Sequence, residues 1–198
     1  ANLLSDAGAT RVLTLDLHTV QVQGFFDIPV DNLFTMPLFA HYYRRRGMVG
    51  DDYVVVSPKN SGVQRARSLA EYLDTAIAIV DVAEEGNPDS GYVIGDVEGK
   101  NVVIVDDMID TAGTICKASS ILKEKGALSV RAVATHAVLS GKAYENIEKS
   151  ALDEVIFTDS IPLHQECSKI KVISVADMFA ETIRNVVEHR SISDHFIM

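Results

Sequence analysis

The chain has 198 residues, 47% of them hydrophobic, so it can bury a substantial core without disulfides. Its formal net charge of -10 argues against nucleic acid or an anionic membrane as the main partner. Cys116 and Cys167 are far apart and lack metal-ligand spacing, and no signal sequence or long apolar run is visible, which predicts reduced thiols in a soluble, cytoplasmic protein.

Alternating β-rich runs and helical patterns predict an α/β fold with a mainly parallel sheet. In chain order the patterning predicts a helix at 3–7, a strand at 11–17, a helix at 38–45 and a strand at 52–57. A helix at 62–73 and strands at 76–80 and 101–106 follow. Then come a helix at 113–125, a strand at 130–136, a helix at 143–149, strands at 154–158 and 171–174, and an amphipathic helix at 175–188. Arg44-Arg45-Arg46 reads as a solvated helix end, where cations offset exposed carbonyls. Right-handed crossovers gather the ligand loops at the carboxyl ends of the strands, at 57–61, 82–91, 106–114 and 136–141. Segment 82–91 is polar and breaker-rich and is expected to be mobile. The first residues begin as though mid-helix, with no cap before them.

One stretch carries the chemistry. Val102-Val103-Ile104-Val105 runs into Asp106-Asp107, followed by Met108-Ile109-Asp110-Thr111-Ala112-Gly113-Thr114. This pattern predicts a buried parallel strand, a loop of small and hydroxylated residues, and a helix N-terminus. Amides of the loop and first helical turn favour an anion, Gly113 lets backbone approach it closely, and Thr111 and Thr114 add hydroxyl donors. Asp110 would repel a phosphate, so it reads as an acceptor that orients loop amides or a water. Asp106 and Asp107 are placed for sugar hydroxyls or a magnesium shell. The bland alternative is an ordinary strand–turn–helix with solvated acids.

Residues Asp106 to Thr114 resemble the phosphoribosyl pyrophosphate (PRPP) motif of type I phosphoribosyltransferase folds. In this form they resemble the ribose-phosphate pyrophosphokinase, or PRPP synthetase, family. The same family is suggested by Leu15-Asp16-Leu17-His18, by residues 21–33, by Thr135-His136 through Gly141, by residues 150–154 and 168–172, and by Ser191-Ile192-Ser193 through Phe196. The resemblance implies a doubly wound, phosphoribosyltransferase-like α/β domain at 37–174. It also implies the remnant of a second similar domain at 1–36, and a helix and tail at 175–198 that return to it. Most of the first half of the family's subunit would precede residue 1. The implied reaction moves diphosphate from ATP to ribose 5-phosphate, giving AMP and PRPP, with Mg2+. The implied assembly is a homo-oligomer built from dimers, a hexamer included. Asp110, Thr111, Ala112, Gly113 and Thr114 would hold the 5-phosphate, and Asp106 and Asp107 the ribose hydroxyls and metal. His18 would be catalytic, facing the ATP-bound metal; the alternative is a hydrogen-bonded histidine at a strand end. Gln23, Asp31, Asn32, Ser191, Ser193 and Phe196 would form a regulatory phosphate or nucleotide site between subunits, against the alternative of a frayed tail.

Three departures bear on activity. Lys59 stands where the family usually has an aspartate, and a protonated lysine cannot ligate magnesium; it would either pair with a phosphate or block the metal position. Ser61 replaces a glycine, while Arg65 and Arg67 are expected to pair with local carboxylates. Val82 and Glu84, with Glu85 beside them, occupy places where active synthetases carry a lysine and an arginine that close over the transferring phosphates. Two rival readings therefore stand beside the synthetase: a non-catalytic regulatory paralogue, and a phosphoribosyltransferase that consumes PRPP.

Overall fold

The computed structural model describes residues 1–82 and 91–193. Glu84, Glu85 and Phe196, singled out above, lie outside the described residues, as does most of segment 82–91.

The apolar run at Val102 places the middle of the molecule. It forms β6 (Asn101–Ile109), buried on both faces, as a central parallel strand must be. Before it come α1 (Asn2–Asp6), β1 (Val12–Leu15), β2 (Val30–Leu33), α2 (Met36–Arg45), β3 (Tyr53–Ser57), α3 (Val63–Leu73), β4 (Ala76–Asp81) and β5 (Tyr92–Ile94). After it come α4 (Gly113–Glu124), β7 (Ser129–Ala137), α5 (Ala143–Lys149), β8 (Glu154–Thr158), β9 (Ile170–Ile173) and α6 (Ala176–Val187). A seven-stranded sheet has the order β5-β4-β3-β6-β7-β8-β9, parallel except for β4 with β5. Residues β1 and β2 contribute form a separate two-stranded parallel sheet.

Alternation along β6 divides the core. Val102 and Ile104 pack with Ile115, Ala118 and Leu122 of α4 and with Tyr144 and Ile147 of α5. Val103 and Val105 pack on the other face with Phe39 and Tyr43 of α2 and with Leu69 and Leu73 of α3. The parallel sheet is the one that the patterning predicted, and helices on both of its faces are the doubly wound arrangement that the family resemblance implied. A third, smaller cluster joins Leu15 and Leu33 of the small sheet to Val175, with Met178 and Phe179 of α6 against it. The amphipathic helix after β9 thus returns to β1 and β2.

Several boundaries differ from expectation. Strand β6 runs to Ile109, three residues beyond the predicted end, so Asp106 and Asp107 are strand residues and not the start of the loop. Strand β1 stops at Leu15 because Asp16 turns to φ 40°, which a strand cannot accommodate. Strands β2 and β5 are additional. Both cysteines are free thiols, and no helix among the described residues is long and apolar enough to cross a membrane.

Candidate functional site

Alternation along β6 sends its two acids to different faces. Asp106 continues the Val102 and Ile104 side, toward α4, and lines a cavity of about 240 Å³. The same cavity is lined by His18, Pro58 and Lys59, and by every residue from Met108 to Ile115. Asp107 continues the Val103 and Val105 side, where it is 1% exposed. It does not line the cavity, so the two aspartates, expected to act together on a sugar, have separate places.

The cavity wall after β6 is a tight turn into α4. Ala112 takes φ 62°, a left-handed conformation unusual for a residue with a Cβ, and becomes the residue before the helix. No side chain caps α4, so its first-turn amides are not taken by a protein side chain. The backbone freedom expected of Gly113 is used at Ala112 instead. A Cβ at Gly113 would meet only Thr111 Oγ1, at 3.7 Å, so nothing inside the protein demands glycine there. Asp110 does act as an acceptor, but its donor is the Ser140 hydroxyl rather than a loop amide. Asn146 Nδ2 donates to the Thr111 carbonyl at 3.0 Å. Thr111 and Thr114 are exposed. Ser140 and Asn146, from the loop after β7 and from α5, are supports that the motif alone did not name.

A chain of charges closes the other side. His18 Nδ1 lies 2.6 Å from Asp107 Oδ2. Arg65 Nη1, from α3, lies 3.4 Å from Asp106 Oδ1 and 3.4 Å from Asp107 Oδ1. Lys59 Nζ lies 3.3 Å from Asp106 Oδ2, and the Asp107 amide donates to Asp106 Oδ1 at 3.0 Å. Arg65 therefore pairs with local carboxylates, as its position suggested. Burial is the largest influence on both acids. It holds the Asp106 carboxyl above its ordinary value, helped by the hydrogen bond with Asp107. For Asp107, burial is outweighed by hydrogen bonds with Asp106 and His18 and by the charge of Arg65, which bring it down to about 2.

His18 is positioned from beneath by a buried node. Asp16 Oδ2 accepts from the Thr35 amide at 3.1 Å, from the Thr35 hydroxyl, and from the Thr135 hydroxyl at 2.6 Å. Asn32 Oδ1 accepts from the Leu17 amide at 3.1 Å and from the Thr14 hydroxyl at 3.0 Å. These bonds fix the loop that carries His18, whose side chain remains 61% exposed. His18 also lines a second cavity of about 200 Å³ with Asp16, Met36, Ser61, Gln64 and Arg65.

The expected magnesium does not fit this donor set. Each oxygen of Asp106 and Asp107 faces a nitrogen of the protein, and His18 Nδ1 is used on Asp107. Among the described residues, no three His, Cys, Asp or Glu side chains are grouped to hold a metal ion.

The other expected positions have local partners. Asn32 is 2% exposed and serves the His18 loop, Asp31 pairs with Arg11 at 2.5 Å, and Gln23 Nε2 donates to the Val20 carbonyl at 3.2 Å. The hydroxyls of Ser191 and Ser193 lie 2.6 Å apart. Val82 packs against the α4-side core.

Comparison with known proteins identifies the family and agrees with the fold. Residues 82–197 match the family described as the phosphoribosyl synthetase-associated domain. The chain is 52% identical over 202 residues to ribose-phosphate pyrophosphokinase 1 of Streptococcus pneumoniae, covering 99% of this chain and 63% of that protein. It superposes on the crystal structure of phosphoribosylpyrophosphate synthetase from Mycobacterium smegmatis with a TM-score of 0.84 and 39% identity, covering 96% of this chain and 62% of that one. The chain spans about three-fifths of the length of the curated relatives it matches.

Proposed function

Since this chain belongs to the ribose-phosphate pyrophosphokinase, or PRPP synthetase, family, we propose that it supplies the ribose 5-phosphate half of a diphosphokinase. The whole reaction is transfer of the β,γ-diphosphoryl group of ATP to the anomeric hydroxyl of ribose 5-phosphate, giving AMP and PRPP for nucleotide biosynthesis. The observation that carries the reading is the cavity after β6: uncapped amides of α4, the hydroxyls of Thr111 and Thr114, and the unforced glycine at 113 all bound one small space with Asp106. The 5-phosphate sits against residues 110–114 and the ribose hydroxyls on Asp106. Asp107 acts from behind, holding His18 and Arg65. His18 borders both cavities and so stands where a second substrate would meet the first. Magnesium is the usual companion of a triphosphate, neutralising its charge when bound. A homo-oligomer built from dimers belongs to the same reading, and sedimentation would test it.

Calorimetric titration with ribose 5-phosphate tests the cup. Saturable binding is expected, with a loss of about tenfold or more in Asp110→Asn combined with Thr114→Val. Equal binding by that double variant would sink the assignment.

A second reading, the non-catalytic regulatory paralogue, is favoured by Val82, which lies half-buried on the core where a phosphate-facing cation is expected from the family resemblance. Loss of such a cation commonly lowers rate by about 10³-fold or more. This reading predicts negligible AMP formation by the chain and co-purification with an active synthetase. AMP release on the order of 10 s⁻¹ would rule it out.

A further inference from the structure

Two aspartates at a strand end beside a phosphate cup are where a divalent cation would be sought. In this chain the carboxylates already have cations of their own. Asp106 faces Arg65 through Oδ1 and Lys59 through Oδ2, at 3.4 and 3.3 Å. Asp107 faces Arg65 through Oδ1 at 3.4 Å and His18 through Oδ2 at 2.6 Å. Lys59 and Arg65 against Asp106 and Asp107 leave a formally neutral group, with no surplus negative charge to recruit a metal.

Lys59 is held in place for this. Its carbonyl accepts from Ser57 Oγ at 2.6 Å and from the Gly62 amide at 3.1 Å, which fixes the turn that carries it. Its side chain is 45% exposed and lines the same cavity as Asp106 and residues 108–115. A divalent ion bound to Asp106 would have to displace the ammonium and then sit beside it. An anionic ligand entering the cavity meets Nζ directly, with three N–H donors available for exchange.

Resting on the reading that this cavity takes a ribose phosphate, we infer that Lys59 Nζ is the site's resident cation, and that the phosphosugar binds without a divalent metal. Asp106 is released from Lys59 as the ligand enters and turns to the sugar hydroxyls. The ammonium turns to the ligand's anionic oxygens.

Two titrations of the full chain test this separately from the function. In the first, Mn2+ alone is added and free Mn2+ is followed by electron paramagnetic resonance. The unmodified chain is expected to show no Mn2+ site that Asp106→Asn removes, whereas Lys59→Asp gains one, about tenfold or more tighter than any in the parent. In the second, ribose 5-phosphate is titrated by calorimetry with EDTA and then with Mg2+. The parent affinity should agree within about twofold between the two. Lys59→Asp should lose about tenfold or more in EDTA and recover with Mg2+, and Lys59→Gln should lose affinity without recovery. A parent Mn2+ site abolished by Asp106→Asn overturns the inference even if the sugar binds. So does sugar binding that disappears in EDTA. If folded parent protein binds ribose 5-phosphate under neither condition, the functional reading fails and the sugar-binding part of the inference with it, while the Mn2+ titration still decides whether Lys59 keeps the metal out.

Discussion

Asp107 is the most deeply buried acid of the site, and its behaviour with pH follows from its partners. Its carboxyl is lowered to about 2 from an ordinary 3.8. A lowered carboxyl contributes stability above its unfolded value and loses it as pH falls through the folded one. Asp107→Asn is therefore expected to cost about 2 kcal/mol at pH 6, with the difference from the parent shrinking between pH 4 and about 2. Urea unfolding across that range measures it, and a difference independent of pH would refute the linkage. Ala112 is a second sensitive residue, because it holds φ 62° while buried against the α4-side core. A β-branched side chain cannot take that backbone without strain, so Ala112→Val should lower stability by about 2 kcal/mol or more, read from the same unfolding curves. At this scale the motif was legible in sequence because residue types reported chemistry directly: acids, hydroxyls and a glycine beside a β-run. The separation of Asp106 from Asp107 was not, since it depends on where the strand ends.

The elements explain that separation. Strand β6 continues through Met108 and Ile109 because Met108 pairs with His136 and Ile109 with Ala137 of β7. Apolar patterning alone stopped the strand at the first charge, yet pairing with a neighbour outweighs two acids that have cations facing them. Strand β2 is not signalled by patterning because Val30-Asp31-Asn32-Leu33 is short and half polar; the Asp31 carboxylate and the Asn32 side-chain oxygen are engaged by Arg11, Thr14 and Leu17 of the adjoining segment. Helix α4, by contrast, was plain from its periodicity. Its Leu122 is fully buried against the sheet. Leu122→Ala is expected to destabilise by about 2–5 kcal/mol and to weaken ribose 5-phosphate binding only as far as α4 loosens. Thermal unfolding and calorimetry on the one variant distinguish the two effects.

Across the whole molecule, the site spans two sheets. The cavity floor belongs to the seven-stranded sheet, and His18 belongs to the loop after β1, inside the connection between the two strands of the small sheet. What fastens one to the other is the Asp16 node, whose Thr135 partner is 119 residues away, and the return of α6 onto Leu15 and Leu33. Fold class could be read from alternation and the return of the last helix was implied by the family resemblance, but the Asp16 node could not be read, because no local pattern announces a contact between such distant residues. Thr135→Val removes one of the donors to a buried carboxylate and should cost about 1–3 kcal/mol, with a change in the NMR environment of the His18 ring. An unchanged His18 signal would show that the node does not steer it. The node also sets an order of assembly. Pairing of β6 with β7 closes a short stretch of chain, whereas Asp16 must reach Thr135 across 119 residues, so the His18 loop is expected to dock late in folding. The same late step should open early: the Thr35 amide, buried and donated to Asp16, is expected to exchange its hydrogen through a partial opening that leaves the amides of β6 protected.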